Sequence, residues 1–297
     1  MSIVINTPNG NIGRPLVEKL LKAGRKVTVI SRTPEKVADL VKLGAKVVQG
    51  SIDEQATLDA ALPGAEALFW LAPPAARPDF VQWATATGRM AAERVKAHGV
   101  KRVVLISSIG AQTGPGTGPV AALKPIEEAF QAAAPNVVSL RAGFFMENLL
   151  RDVQGLTKTG ALFSVNGETQ AFPMVATADI AAKAFEYLTD TSWTGHRYVG
   201  VHGPKDVTYP EIASVLTQVL GQPVKYVRVG LEDVRNGMTG AGMPSWMADV
   251  YVEMYGAVLD GRMVAAEPRS KETTTPTTLA EFASTVLKPA VERARAS

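Results

Sequence analysis

The chemistry-bearing part of the chain begins at Thr7-Pro8-Asn9-Gly10-Asn11-Ile12-Gly13. Gly10 and Gly13 fill the last two places of a G-x-x-G-x-x-G turn, with Thr7 where the first glycine would stand. A glycine turn leading from a strand into a helix brings backbone N–H groups against a pyrophosphate, at the positive end of the helix dipole. The strand-like run before it and the helical run after it supply the context this motif needs, so a dinucleotide is expected here. A second stretch, Ser31-Arg32-Thr33-Pro34-Glu35-Lys36, closes the next strand. An acid at that place would bond the ribose hydroxyls of NAD; Arg accommodates the 2′-phosphate of NADP. Here no acid stands at the strand end. Arg32 offers a fork of donors and Lys36 a second positive charge, so NADPH is expected over NADH.

What the chain lacks narrows the chemistry further. It has no cysteine, which removes disulfides, thiol nucleophiles and Cys-ligated zinc. Its three histidines, His98, His196 and His202, show no metal-ligand spacing, and no metal is expected. His98 precedes Gly99 at a helix end, a capping position. There is neither a G-x-S-x-G elbow nor a G-x-x-x-x-G-K-[ST] loop, which argues against hydrolases of those types. Glu127, Glu128 and Asp152 fall on predicted helices and read as solvated faces. The 31 Lys plus Arg against 28 Asp plus Glu leave +3, without a basic stripe, so no nucleic-acid or membrane-surface partner is expected. The apolar stretch 67–72 falls far short of the ~18 residues of a membrane span. With a strand directly after Met1 there is no room for a signal peptide, and a soluble, cytoplasmic protein is expected.

The elements that must position these groups alternate. Strands are expected near 2–6, 26–30, 45–49, 67–71, 102–107 and 137–141, apolar on both faces as in a buried parallel sheet. Between the first two lies a helix with Ile12, Leu16, Val17, Leu20 and Leu21 on one face, Pro15 in its opening turn and Gly24 at its end. The second half is poorer in strands, with one at 196–201, a helix at 209–220 and a short strand at 224–229. A helix opened by Ser245 as N-cap, and a last one over 278–293, complete it. The 297 residues thus predict an α/β fold, a doubly wound parallel (Rossmann) sheet with a smaller C-terminal α+β substrate lobe. Residues 1–150 and about 176–203 are assigned to the dinucleotide domain, about 151–175 and 204–297 to the substrate lobe.

With these segments in view, the chain resembles the NmrA-like family of atypical short-chain dehydrogenases/reductases. The resemblance rests on the glycine turn, Ile106-Ser107-Ser108-Ile109-Gly110-Ala111, Ala178-Asp179-Ile180-Ala181 and Leu279-Ala280-Glu281-Phe282-Ala283. Its most specific part is Leu140-Arg141-Ala142-Gly143-Phe144-Phe145-Met146-Glu147-Asn148. The family includes quinone, triphenylmethane-dye, isoflavone-type and iminium reductases, and also regulators that bind a dinucleotide without turning it over. The resemblance implies that Leu71, Ala72, Pro73 and Ser107 line the cofactor, with Asp53 near its adenine. The family often has Gly-Asp where this chain has Gly50-Ser51.

Ordinary short-chain dehydrogenases protonate a carbonyl oxygen with a Tyr-x-x-x-Lys tyrosine, aided by a serine. Here Ser107-Ser108 and Lys124 stand at the matching places, but the tyrosine position is Val120. The first tyrosine in the chain is Tyr187, and none has Lys four residues on. Without that acid, an unactivated ketone loses a factor of ~10²–10⁴ in rate. A quinone, an iminium or an activated alkene accepts hydride without a simultaneous proton, so such acceptors are expected, held against the nicotinamide in a dry pocket. Lys124 is the candidate ribose contact, and Ser108, or Tyr251 folding over the site, a substitute donor. Phe144, Phe145, Asn148, Phe172 and Met174 are expected to build the pocket, and the helix with Trp246, Met247, Tyr251 and Met254 to close it. Two readings stay open: a reductase of a small-molecule acceptor, or a dinucleotide sensor acting through a protein partner. Either is compatible with a homo-oligomer.

Overall fold

Each apolar run of the first half forms a strand, and the stretches between runs form helices. In order these are β1 (Ser2–Ile5), α1 (Gly13–Lys22), β2 (Val27–Ser31), α2 (Ala38–Lys42), β3 (Lys46–Gln49) and α3 (Gln55–Ala61). β4 (Ala65–Leu71), α4 (Phe80–Ala97), β5 (Arg102–Ser108), α5 (Leu123–Ala133) and β6 (Asn136–Ala142) follow. Next come β7 (Phe144–Phe145), α6 (Val153–Lys158), β8 (Ala161–Ser164), β9 (Phe172–Val175), α7 (Thr177–Thr189), β10 (Gly195–Val201) and β11 (Asp206–Val207). The chain ends with α8 (Tyr209–Leu220), β12 (Lys225–Arg228), α9 (Leu231–Gly240), α10 (Ser245–Leu259), α11 (Leu279–Phe282) and α12 (Lys288–Ala296). The computed structural model describes residues 2–296.

Seven parallel strands form the main sheet in the order β10-β6-β5-β4-β1-β2-β3. The winding reverses between β1 and β4, and a ligand belongs in the crevice beyond the carboxyl ends of those two strands. Asn6, one residue past β1, pins that crevice open. Its amide donates to the Leu71 carbonyl at 2.8 Å and accepts from the Leu71 N–H at 3.0 Å.

Apolar layers cover both faces of the sheet. On one side Leu16, Val17 and Leu20 of α1 join Ile180, Ala181 and Ala184 of α7 and Trp193; on the other, Trp70 and Phe130 anchor a layer with Leu58, Val95 and Ile126. The expectation of strands buried on both faces fails at β3, whose Lys46 and Gln49 are exposed because it is an edge strand. A third core, with Leu162, Ile212, Leu216, Phe282 and Leu287, holds the small sheets β11-β9-β7 and β12-β8 against α8 and the last helices.

Three local expectations also change. Ser245 is the first residue of α10, not its cap; Pro244 precedes the helix and no side chain caps it. The final helix is split by a π turn over Ala283–Leu287, a register that keeps Ala283, Leu287 and Val291 buried. Its start is as expected, with Thr278 and Glu281 forming a reciprocal capping box. His98 does occupy the C-cap of α4, and its ring lies 2.7 Å from the Asp59 carboxylate.

His202, at the end of β10, is 2% exposed, and its Nε2 has no partner. Burial, with Arg269 nearby, holds its pKa below the usual 6.5. The unfolded chain therefore binds a proton that the folded one refuses, and stability falls as pH drops below about 6.5. Urea midpoints measured across that range are expected to fall more steeply in the native protein than in His202→Asn.

Candidate functional site

The glycine turn meets the requirements of a phosphate cradle. Its Asn9, Gly10 and Asn11 are exposed, and α1 begins beneath them with no acid in its first turn. A β-carbon on Gly13 would lie 1.8 Å from the Thr7 carbonyl oxygen, so strand end and helix start touch backbone to backbone. The Thr7 hydroxyl is buried without a hydrogen-bond partner. An orphaned donor beside a helix N-terminus fits an anionic oxygen that would satisfy it.

Beyond β2, Ser31 holds its own turn: its hydroxyl donates to the Thr33 carbonyl at 3.0 Å and accepts from the Thr33 N–H at 3.2 Å. Arg32 and Lys36 are exposed, and among the described residues neither side chain has a hydrogen bond or an ion pair. A residue that the sequence reading missed ties this cationic corner to the glycine turn. Arg14 donates to the Asn9 side chain at 2.6 Å and to the Lys36 carbonyl at 3.0 Å, and pairs with Asp39. Asp53, after β3, is already engaged: it accepts the Trp83 indole N–H at 2.8 Å. Ser51 and Trp83 hold its carboxyl below the usual range. Leu71, Ala72 and Pro73 are half-buried at the mouth of the crevice.

The β5 serines separate because successive strand residues face opposite ways. Ser107 is 3% exposed and donates to Glu127 at 2.7 Å, so its proton is engaged within the protein. Ser108 is half-buried at the strand end and remains next to the crevice. Glu127 is not a solvated residue like its neighbour Glu128. It is 1% exposed and accepts two bonds from Arg141, at 3.0 and 2.8 Å. Arg141 also donates to Glu267 at 2.9 Å and lies 4.0 Å over the Tyr198 ring. No sequence signal pairs residues so far apart in the chain. Val120 is buried within a 3-10 turn over Gly118–Ala122, and Lys124 is exposed one helical turn later.

The aromatic residues expected around the acceptor form a row that packs on the third core. Phe144 meets Phe172 edge-on at 5.7 Å, Phe172 meets Tyr209 at 5.4 Å, and Tyr209 stacks on Tyr226 at 5.3 Å. Phe144 is positioned by β7, which pairs with β9. Met174 is 1% exposed and belongs to the core, not to a lining; Phe145 packs against the main core. Asn148 is half-buried on a 3-10 segment over Met146–Asp152.

The helix α10 crosses the 118–122 turn. A β-carbon on Gly118 would meet the Val250 carbonyl oxygen at 2.3 Å and the Met254 side chain at 2.9 Å. Glu253 accepts the Gly118 N–H at 3.1 Å. The segment after α10 is strapped down too: Gln112 donates to the Val264 carbonyl at 3.0 Å and Thr113 to the Arg262 carbonyl at 2.9 Å. Only Ala248 and Ala257 of α10 are buried; Trp246, Met247, Tyr251 and Met254 are half-buried, so this helix carries apolar surface beside the loop that follows β5.

Asp152, expected to be solvated, is half-buried, and burial raises its carboxyl to about 6. Its charge is felt by the Tyr209 and Tyr255 hydroxyls, both of them pushed up by burial.

A family described as NAD(P)H-binding matches residues 8–191. The chain is 31% identical over 253 residues to an NAD(P)H azoreductase of Xenophilus azovorans, covering 85% of this chain and 86% of that protein. It is 26% identical over 273 residues to a (4-alkanoyl-5-oxo-2,5-dihydrofuran-3-yl)methyl phosphate reductase of Streptomyces griseus, covering 92% of each. Among solved structures, a Citrobacter triphenylmethane reductase complexed with NADP(H) superposes with a TM-score of 0.80 at 21% identity, covering 99% of this chain and all of that one. An Escherichia coli NADPH-dependent quinone oxidoreductase complexed with NADPH gives 0.84 at 24% identity, covering 96% and 99%. Among the described residues no helix is long and apolar enough to cross a membrane.

Proposed function

Because the chain belongs to the NAD(P)H-binding family of oxidoreductases, we propose that it is an NADPH-dependent reductase of an activated, conjugated small molecule. The acceptor is a quinone, an iminium or an activated alkene, and the azo group named for the Xenophilus relative meets the same electronic requirement. The observation that carries this reading is Val120, a buried apolar side chain where a carbonyl reductase of the short-chain type keeps its acid. When bound, the dinucleotide supplies a hydride from its dihydronicotinamide ring.

The residues of this chain then have positional work. Thr7, Asn9, Gly10, Asn11, Ile12 and Gly13 seat the pyrophosphate, and Arg32 with Lys36 receives the 2′-phosphate. Leu71, Ala72 and Pro73 line the route to the nicotinamide end, Asp53 lies at the adenine end, and Lys124 faces the ribose. Ser108 adds a hydroxyl at the crevice mouth. The acceptor lies flat against Phe144 and Phe172, with Asn148 at its edge and Trp246 and Tyr251 bounding it from α10. In this division residues 1–150 and about 176–203 hold the dinucleotide, while 151–175 and 204–297 hold the acceptor.

Arg32→Ala tests the cofactor half of the reading. One charge-assisted contact is worth about 1.5–3 kcal/mol, so NADPH affinity is expected to fall roughly 10- to 100-fold while NADH affinity stays level. Equal losses for both cofactors, read by fluorescence titration, would remove the phosphate assignment. For the acceptor half, turnover of quinones and iminium ions without turnover of unactivated ketones is the expected pattern.

A further inference from the structure

Within the dinucleotide arrangement proposed above, which puts Asp53 at the adenine end, we propose that the adenine base stacks on the indole of Trp83 and that Asp53 positions this ring. Trp83 is the fourth residue of α4, and no motif in the chain marks it. Its indole N–H donates to Asp53 at 2.8 Å, which restrains the plane of the ring. Asp53 follows β3 by four residues and α4 follows β4, so both partners stand at the carboxyl ends of the strands. In the sheet, β1 and β2 lie between those two strands, and they deliver the glycine turn and Arg32. The bond from Trp83 to Asp53 therefore closes the rim of the crevice along the stretch where the adenosine half is proposed to lie.

Trp83 and Ala72 pack against the second apolar layer, whose members include Ile30 near the end of β2 and Ile52 beside Asp53. The Arg77 guanidinium lies over the Trp83 ring, 5.2 Å from its centre. The indole thus already receives a flat polar group on its face. Among the described residues the hydrogen-bond partner of that guanidinium is Asp79, itself exposed, at 2.6 and 2.8 Å. Trp193 shows a pair with a structural role alone. It is 4% exposed, and the guanidinium over it, that of Arg102, is bonded to the Thr191 and Trp193 carbonyls.

The magnitudes favour the base over Arg77. A cation over an exposed ring is worth at most about fivefold in affinity, and an exposed ion pair about the same. Stacking of a base on an aromatic ring is worth roughly 5- to 150-fold. The base therefore takes the place of the guanidinium on the indole.

Calorimetric titration with 2′,5′-ADP, which carries the base and the 2′-phosphate of NADPH, tests this. Trp83→Leu should bind it roughly 5- to 150-fold less tightly than the native protein, with Trp83→Phe, which keeps an aromatic face, between the two. NADPH and NADH should weaken by the same factor in Trp83→Leu, because both carry the base; this separates the effect from that of Arg32→Ala. Tryptophan fluorescence of the native protein should drop on addition of 2′,5′-ADP, and Trp83→Phe should lose that drop while still binding. Asp53→Asn, whose amide oxygen still accepts from the indole, should stay close to native, whereas Asp53→Ala should bind several-fold less tightly. Trp83→Phe keeps a ring on the apolar layer and decides the matter should Trp83→Leu fail to fold. The inference is overturned if folded Trp83→Leu binds 2′,5′-ADP with native affinity, or if the fluorescence drop survives in Trp83→Phe. It is equally overturned if Trp83→Leu weakens NADPH and leaves NADH unchanged. A native protein that binds neither 2′,5′-ADP nor NADPH would instead overturn the dinucleotide reading, and the stacking role with it.

Discussion

Gly13→Ala is expected to reduce dinucleotide affinity by about 100-fold or more, the loss of two charge-assisted bonds worth about 1.5 kcal/mol each at the low end. The added methyl would stand 1.8 Å from the Thr7 carbonyl oxygen and 2.7 Å from its carbon. Both are backbone atoms, so no rotamer change relieves the clash. The start of α1 has to retreat from the end of β1, and the N–H groups proposed to meet the pyrophosphate retreat with it. The same overpacking should cost about 1–3 kcal/mol of stability. Titration of NADPH against native and variant protein measures the first effect, and urea denaturation the second. Gly10→Ala provides the contrast, since a methyl there comes no closer than 3.8 Å to the Thr7 oxygen. Equal behaviour of the two variants would contradict the account of the turn.

Arg141→Leu is expected to be among the most destabilising single changes, at about 3–5 kcal/mol. The Arg141 side chain is 6% exposed, and its carboxylate partners Glu127 and Glu267 are 1% and 12% exposed. Removing the cation leaves two carboxylates facing one another without compensation, and only the Ser107 hydroxyl remains on Glu127. Glu127→Gln should cost less, because the amide keeps a hydrogen-bonding oxygen while Glu267 still balances Arg141. The network also joins the end of β5, the helix α5 that carries Lys124, and the segment bearing Glu267. Its rupture should therefore loosen the end of β5 and the start of α5, where the nicotinamide is proposed to lie, as well as lower the urea midpoint. A ranking in which Glu127→Gln is the more damaging change would contradict this assignment.

The central sheet was legible because each of its inner strands is a continuous apolar run, and a run buried on both faces announces itself. β3 deviates because an edge strand has one side in water. The glycine turn was legible as the link from β1 to α1 for a different reason: local spacing announces it. Glu127 was not, since Glu127-Glu128 has the look of any solvated pair. What distinguishes the first glutamate is Arg141 on the neighbouring strand and Glu267 much later in the chain. The strands β7, β8 and β9 were missed because strands of two to four residues hold no periodicity of their own, whereas β12 lies within the strand expected at 224–229. Asp152 was misread for the same kind of reason. Its half-burial comes from packing that no local pattern announces. Asn6 and Arg14, which brace the crevice, carry no local signal either.

The claim on which the rest depends is that bound NADPH is used to reduce an acceptor. Single-turnover mixing of the protein with NADPH deuterated at the transferable position tests it directly, with a quinone and an iminium as acceptors. With a quinone or an iminium, loss of the reduced nicotinamide absorbance is expected, slower with deuterium than with hydrogen, and none with an unactivated ketone. Tight NADPH binding with no oxidation by any acceptor in a broad panel would contradict it, and would make the protein a sensor of the dinucleotide.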